Sequence, residues 1–327
     1  MIDFSRYQDL FTAFLEKNSF AREPYSLYEP ADYLLSLGGK RLRPVFAILG
    51  CDLYSQKPET ALKVAMAVEV FHNFTLMHDD IMDQSDIRRG KPTVHKKYNV
   101  NTAILSGDVM LIKAYEYLCD YEDPKIVKSI LSEFNKMAKE VCEGQQYDVD
   151  FESRNDVTIQ DYLNMITLKT AVLIACSLKM GAMVGGASEH DYNHLYEFAK
   201  NYGIAFQLQD DFLDTFGNAA EVGKKIGGDI LNNKKTYLYI KAYELSDEND
   251  KNTLRALYSN VTSTLSESEK IMTVTQIFKK TYVEEYSKQL IEVYRDLALS
   301  HLNACKIDEK NKNEISGYMN DLLFRKS

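Results

Sequence analysis

Apolar residues recur along this chain at helical intervals. Ala61, Val64, Ala65, Val68 and Phe71 form one stripe, and Ile126, Ile130, Phe134, Met137, Ala138 and Val141 a second. Tyr282, Tyr286, Leu290, Val293 and Leu297 form a third. Steps of three and four residues predict an amphipathic α-helix in each place. No strand-like alternation survives beside these patterns. Polar or Gly/Pro-rich breaks fall at 18–26, 36–44, 54–59, 84–93, 120–124, 150–158, 185–190, 215–234, 245–252, 263–268 and 305–313. They delimit about ten or more helices of ordinary length. The chain has six prolines and none after Pro124, which favours helix over many-turned β structure. No break reads as a linker and no repeat is visible. One all-α domain over 1–327 is the economical organisation. A separate helical domain from about 245 is the alternative, because the richest chemistry ends near 236.

Composition narrows the function. The 327 residues are 45% hydrophobic and 27% charged, enough for a large buried core. A net charge of −9 argues against a general nucleic-acid binder, which needs clustered Lys and Arg. The five cysteines are odd in number and widely spaced, which suits reduced thiols and a cytoplasmic setting. No basic leader precedes an apolar run at the N-terminus. The longest strongly apolar stretch, 171–178, falls short of the about 20 residues of a membrane helix, so no integral membrane protein is expected.

Three constellations carry chemistry. The first is His78-Asp79-Asp80-Ile81-Met82-Asp83, at the end of a helix expected to start near Glu59. Asp79 and Asp83 stand one turn apart on one face, with His72 two turns back. Carboxylates at i and i+4 repel unless a cation sits between them, so they suit a hard metal such as Mg²⁺. The second is Gln207-Leu208-Gln209-Asp210-Asp211-Phe212-Leu213-Asp214, whose polar members share a face. The D-D-x-x-D spacing thus occurs twice, 131 residues apart. If the two helices face each other, they form a carboxylate cage for several Mg²⁺ ions. The third is basic: Gly38-Gly39-Lys40-Arg41-Leu42-Arg43-Pro44, Arg88-Arg89-Gly90-Lys91, Lys169-Thr170, Lys224-Lys225 and Lys234-Lys235. Arg offers a planar fork to phosphate oxygens and Lys a point charge. Basic groups beside carboxylate cages read together as a site for a polyanion.

In this order the motifs resemble the trans-isoprenyl diphosphate synthases, or polyprenyl synthetases. The match is G-G-K-R-x-R-P at 38–44, D-D-x-x-D at 79–83 and R-R-G at 88–90. Gly107-Asp108, G-Q-x-x-D at 144–148 and K-T at 169–170 follow. Q-x-x-D-D-x-x-D at 207–214 and G-K…G-x-D…N-K over 223–234 complete it. The resemblance implies an isoprenoid synthase-type bundle of mostly antiparallel helices around a central cavity, usually a homodimer. It implies a prenyltransferase that adds isopentenyl diphosphate head-to-tail to an allylic diphosphate with three Mg²⁺ ions. Asp79 and Asp83 match one set of metal ligands; Asp210, with Asp211 and Asp214 in support, matches the other. Arg88, Lys169, Thr170, Gln207, Lys224 and Lys234 match the allylic site, and Lys40, Arg43, His72 and Arg89 the isopentenyl site. Lys169, Thr170, Gln207 and Arg88 also match groups that act on the reacting centre, and Gln145 lies near it. One more Lys than in some relatives leaves Lys224 and Lys225 as alternatives.

The resemblance extends to product length. Phe74 and Thr75, five and four residues before Asp79, match the positions that floor the tail cavity. One aromatic and no insertion in the first motif suggest a C15–C20 product, C20 being slightly favoured. A Gly- and Lys-rich 215–236 segment is expected to close over bound diphosphate. The alternatives are a non-catalytic partner subunit and a class I terpene cyclase. The first usually lacks aspartates that this chain keeps; the second normally carries Asn, Ser or Thr with Glu in its second motif.

Overall fold

The computed structural model describes residues 2–55, 57–217, 226–259 and 265–324. Its long elements are all α-helices. In chain order the first are α1 (Phe4–Lys17), α2 (Tyr25–Ser36), α3 (Leu42–Asp52), α4 (Leu62–Met82), α5 (Val94–Lys97) and α6 (Val100–Cys119). Then come α7 (Pro124–Ser153), α8 (Ile159–Ile166), α9 (Val172–Val184) and α10 (Glu189–Phe216). The helices Tyr237–Leu245, Glu248–Leu257, Glu267–Lys280, Val283–Ala304 and Glu309–Leu323 follow a short turn at Gly228–Leu231. These residues form two compact units. One holds 1–137, 173–196 and 305–311; the other holds 138–172, 197–304 and 312–327.

In the first unit α4 is the central element. It is buried almost all round between Val64 and Phe71, as its dense run of Val, Ala and Met requires. It begins at Leu62, after a 3₁₀ turn at Pro58–Ala61, rather than near Glu59. Pro58 fits that turn because the first N–H groups of a helix lack partners anyway. α4 packs on α3 and α6. α9 crosses α3 closely: a Cβ on Gly181 would stand 1.9 Å from the Ala47 carbonyl oxygen. The 84–93 break contains the only strand pairing among the described residues, Ile87–Arg88 against Lys91–Pro92. Its two-residue loop, Arg89-Gly90, has positive φ at both positions, 51° and 73°. That is the mirror-image turn whose twist suits a hairpin.

In the second unit a capping box of Thr158 and Asp161 starts α8, and a second one of Ser266 and Glu269 starts Glu267–Lys280. Helix α8 leads into a π turn, Thr167–Ala171, where the Val172 N–H reaches back to the Thr167 carbonyl. The run Ile159–Val184 is long and apolar enough to cross a membrane by length and composition, with an 18-residue window of mean hydropathy 1.4, and so exceeds the 171–178 stretch. Of its most apolar 18-residue window 78% is buried, as befits a core helix.

The stripe at 282–297 does not face the core. Tyr282, Tyr286, Val293 and Leu297 are exposed, and Val283–Ala304 buries Val283, Ser287, Ile291, Ala298 and Leu302 instead. Helices Tyr237–Leu245 and Glu267–Lys280 pack on it. The buried side combines the small Ser287 and Ala298 with Val283, Ile291 and Leu302, and the two tyrosines, Val293 and Leu297 are left on the outer side.

The α3–α9 seam yields a prediction. Gly181→Ala should lower stability by about 1–3 kcal/mol, the usual range for overpacking. Chemical denaturation of the two proteins checks it.

Candidate active site

The first unit gathers basic groups around α4. The loop 38–41 is pinned by Arg41, whose guanidinium pairs with Glu69 and donates to the Leu35 carbonyl. Glu69 is 2% exposed and also accepts from the Asn73 amide. Arg41 is therefore structural, and its φ of 50° turns the chain into α3. That turn brings Arg43 to His72, with Nη1 3.2 Å from Nε2. A guanidinium only donates, so His72 Nε2 accepts and Nδ1 carries the proton. Arg89 reaches the same loop and donates to the Gly38 carbonyl.

These cations are undercompensated. Burial pushes Arg43 down to about 10, and Arg89 adds to the push against the pull of Glu69. Burial, then Arg43, Arg89, Arg88 and Arg41, hold His72 well below the ordinary imidazole value, so it is neutral at pH 7. The buried Arg43 Nε has no hydrogen-bond partner. An orphaned donor among several guanidiniums is a seat for an anion. Lys40 is exposed on the adjoining loop.

Neighbouring aspartates of the first motif differ sharply. Asp80 is fully buried and receives Arg88 through both oxygens, Nε at 2.8 and 3.0 Å and Nη2 at 2.7 Å. Asp79 is half-buried and Asp83 exposed. The i, i+4 spacing assigns a role to Asp79 and Asp83 and none to Asp80, which its position on the inner side of α4 sets apart. Phe74 and Thr75 are half-buried on the same helix, and Thr75 Oγ1 donates to the His72 carbonyl at 2.8 Å.

The second unit holds a cavity of about 180 Å³. Its wall includes Asp148, Tyr162, Lys169, Gln207, Asp229 and Lys234. Lys169 and Lys234 share the Asp148 carboxylate at 2.6 and 3.1 Å. Burial pushes Asp148 up, but the two ammonium groups outweigh it and hold the carboxyl below its ordinary value. Close approach of α7 to the π turn makes this possible: a Cβ on Gly144 would lie 2.3 Å from the Lys169 nitrogen. Lys235 plays another part. It is buried and donates to the Phe151 carbonyl at 2.7 Å and to that of Arg154, closing the end of α7.

A hydrogen-bond chain crosses the cavity. Thr170 Oγ1 donates to Gln207 Oε1 at 3.2 Å, and Gln207 Nε2 to Asp211 Oδ1 at 2.8 Å. Tyr162 donates to Asp211 Oδ2 at 2.6 Å. Asp214 receives the Asp229 N–H at 2.9 Å and so holds the Gly-x-Asp turn. Burial, with the charges of Asp210 and Asp214, outweighs those hydrogen bonds and pushes Asp211 up to about 7. Burial and the charges of Asp211, Asp214 and Asp210 push Asp229 up to about 8. Crowded carboxylates of this kind fit a divalent cation. Among the described residues no three His, Cys, Asp or Glu side chains stand together as a complete metal site. Mg²⁺ characteristically takes one or two carboxylates and completes its shell with water and substrate phosphates. Asp229 closes the Gly-x-Asp motif, whereas Tyr162 and the structural role of Lys235 carry no motif in the sequence. Lys224 and Lys225 lie outside the described residues, as does 218–225 of the expected closing segment.

The polyprenyl synthetase family profile matches residues 24–277. The chain belongs to that family. The chain is similar to geranylgeranyl diphosphate synthase of Sulfolobus acidocaldarius, 39% identical over 294 residues, covering 89% of this chain and 87% of that protein. A short chain isoprenyl diphosphate synthase of Methanothermobacter thermautotrophicus is 34% identical, with 93% and 91% covered. A crystal structure of a geranylgeranyl pyrophosphate synthase superposes with TM-score 0.94 at 43% identity, over 100% of both chains. That of the Corynebacterium glutamicum enzyme, complexed with isoprenyl diphosphate and magnesium, gives TM-score 0.85 at 29% identity, with 98% of each chain covered. In this polyprenyl synthetase the all-α fold expected from helical spacing is thus the family fold.

Asp148 gives a pH-dependent prediction. Its carboxyl is depressed on folding, so its stabilisation is present above the unfolded value and is lost as pH falls through the folded one. Asp148→Asn should cost about 1–3 kcal/mol at pH 7, in the range for a charged hydrogen bond. The gap from wild type should close below about pH 4. Urea unfolding across that range checks the sign.

Proposed function

We propose that the two clusters are the two diphosphate seats of one condensation. The chain is a short-chain prenyl diphosphate synthase of the geranylgeranyl type, which joins isopentenyl diphosphate to allylic diphosphates. The observation that supports the residue assignment best is the unpartnered Arg43 Nε among Arg89, His72 and Arg41. Arg43, His72, Arg89 and Lys40 bind isopentenyl diphosphate in this reading. Neutral His72 accepts from Arg43 and leaves its remaining guanidinium donors for phosphate.

Arg88, Lys169, Thr170, Gln207, Lys224 and Lys234 bind the allylic diphosphate. Asp80 fixes the Arg88 fork, and Asp148 presents Lys169 and Lys234 side by side. Asp79, Asp83, Asp210, Asp211 and Asp214 hold magnesium, three ions in all; when bound, the metal neutralises charge on the departing diphosphate. The same charge is met by Arg88, Lys169 and Lys234. Loss of diphosphate leaves a delocalised allylic cation. The alkene of isopentenyl diphosphate attacks it, forming one C–C bond, and a proton leaves to the released diphosphate. The Lys169 carbonyl and the Thr170 and Gln207 oxygens face the cation, so no protein nucleophile is needed.

Phe74 and Thr75 set a C15–C20 limit in this reading, with C20 favoured. The whole chain acts as one catalytic domain. A homodimer is supported by Val100, Ile104, Leu105 and Ile112, all exposed on α6. Five free cysteines support a cytoplasmic setting.

Purified protein with Mg²⁺, isopentenyl diphosphate and dimethylallyl, geranyl or farnesyl diphosphate should yield linear C15–C20 alcohols after dephosphorylation. Chelation of the metal should abolish turnover, and cyclic hydrocarbons would refute the reading. Phe74→Ala should lengthen the product; an unchanged length would remove Phe74 from the floor.

A further inference from the structure

Phe74 has an aromatic neighbour on each side along α4. The Phe71 ring lies 5.6 Å away, and the His78 ring 4.9 Å away and edge-on. Phe71 is itself fixed, buried against Phe134 at 5.2 Å. His78 is fixed by α6 in two ways. Its Nε2 lies 3.2 Å from the Ile104 carbonyl oxygen. A carbonyl only accepts, so Nε2 carries the proton and the ring orientation is set. The ring also enters a notch at Gly107, where a Cβ would stand 2.2 Å from Nε2.

We propose that His78 is a positioning residue for product length: seated in the Gly107 notch and bonded to the Ile104 carbonyl, it braces the Phe74 ring against the growing prenyl chain. The inference rests on the reading of Phe74 as the cavity floor. An aromatic side chain without a brace has other staggered rotamers within reach. An elongating apolar tail gains by displacing it, because each added carbon leaves water. Phe71 blocks one direction of escape and His78 the other. The brace belongs to a residue beside the metal-binding aspartates, yet its contacts run to α6.

Three variants test this, each assayed for product length with farnesyl diphosphate, isopentenyl diphosphate and Mg²⁺. His78→Ala should give products at least one isoprene unit longer than wild type. Phe74→Ala should do the same, and the double variant should go no further than Phe74→Ala, since His78 acts through Phe74. Turnover is measured separately, because His78 adjoins Asp79; only the length distribution decides. Wild-type length from His78→Ala, with lengthening from Phe74→Ala, overturns the brace. So does further lengthening in the double variant, which would make His78 part of the wall. No change from Phe74→Ala overturns the floor reading itself and the brace with it. Gly107→Ala presses on His78 from the other helix and should lengthen the product without altering α4. It replaces His78→Ala if that variant does not fold.

Discussion

Charge held away from water is the constraint on which this site depends. A guanidinium or carboxylate removed from solvent costs several kcal/mol unless a partner meets it, roughly the whole margin that keeps a domain folded. The chain meets that cost selectively. Arg41 has Glu69, Arg88 has Asp80, and Lys169 with Lys234 has Asp148. Arg43 keeps a buried donor unmatched, and Asp211 and Asp229 crowd one another. The matched groups fix the local geometry; the unmatched ones leave a donor at Arg43 and crowded carboxylates at Asp211 and Asp229 without full compensation.

Adjacent residues in the motifs divide this labour. Asp79 and Asp80 share a motif, yet only Asp80 points inward far enough to be fully buried. Both Lys234 and Lys235 line the cavity, but Lys234 pairs with Asp148 whereas the Lys235 ammonium donates to carbonyls at the end of α7. Arg41 ties down the loop that lets Arg43 reach His72. Asp79 and Asp80 are one rotation of about 100° apart on α4, Lys234 and Lys235 are consecutive in a loop, and Arg41 and Arg43 are two residues apart at the start of α3.

This explains what was legible beforehand. Helical spacing and scarce proline indicate the fold class, because burial along α7 follows the 3.6-residue period closely, while α4 is buried almost all round between Val64 and Phe71. Ordered motifs gave the family and most candidate residues. The choice within Arg41/Arg43, Asp79/Asp80 and Lys234/Lys235 was less legible, since it depends on where a helix begins and which neighbour it meets. The 282–297 stripe shows the limit plainly. Its period is helical, but the side that carries Ser287 and Ala298 is the one buried, and periodicity alone does not rank two faces. Tyr162 escaped notice because an isolated tyrosine carries no signal until Asp211 is beside it.

The chain from Thr170 through Gln207 to Asp211 has a direction. Asp211 receives two hydrogens, from Gln207 and Tyr162, and offers none to Gln207. Gln207 must then turn its amide oxygen to Thr170, whose hydroxyl hydrogen is committed to it. With its hydrogen committed, the Thr170 oxygen is left with lone pairs as its outward feature. The array behaves like an aligned row of dipoles, negative end outermost, set before any reaction begins. A positive charge placed beside that oxygen would meet an environment already polarised in its favour, and no group would have to turn over to supply it.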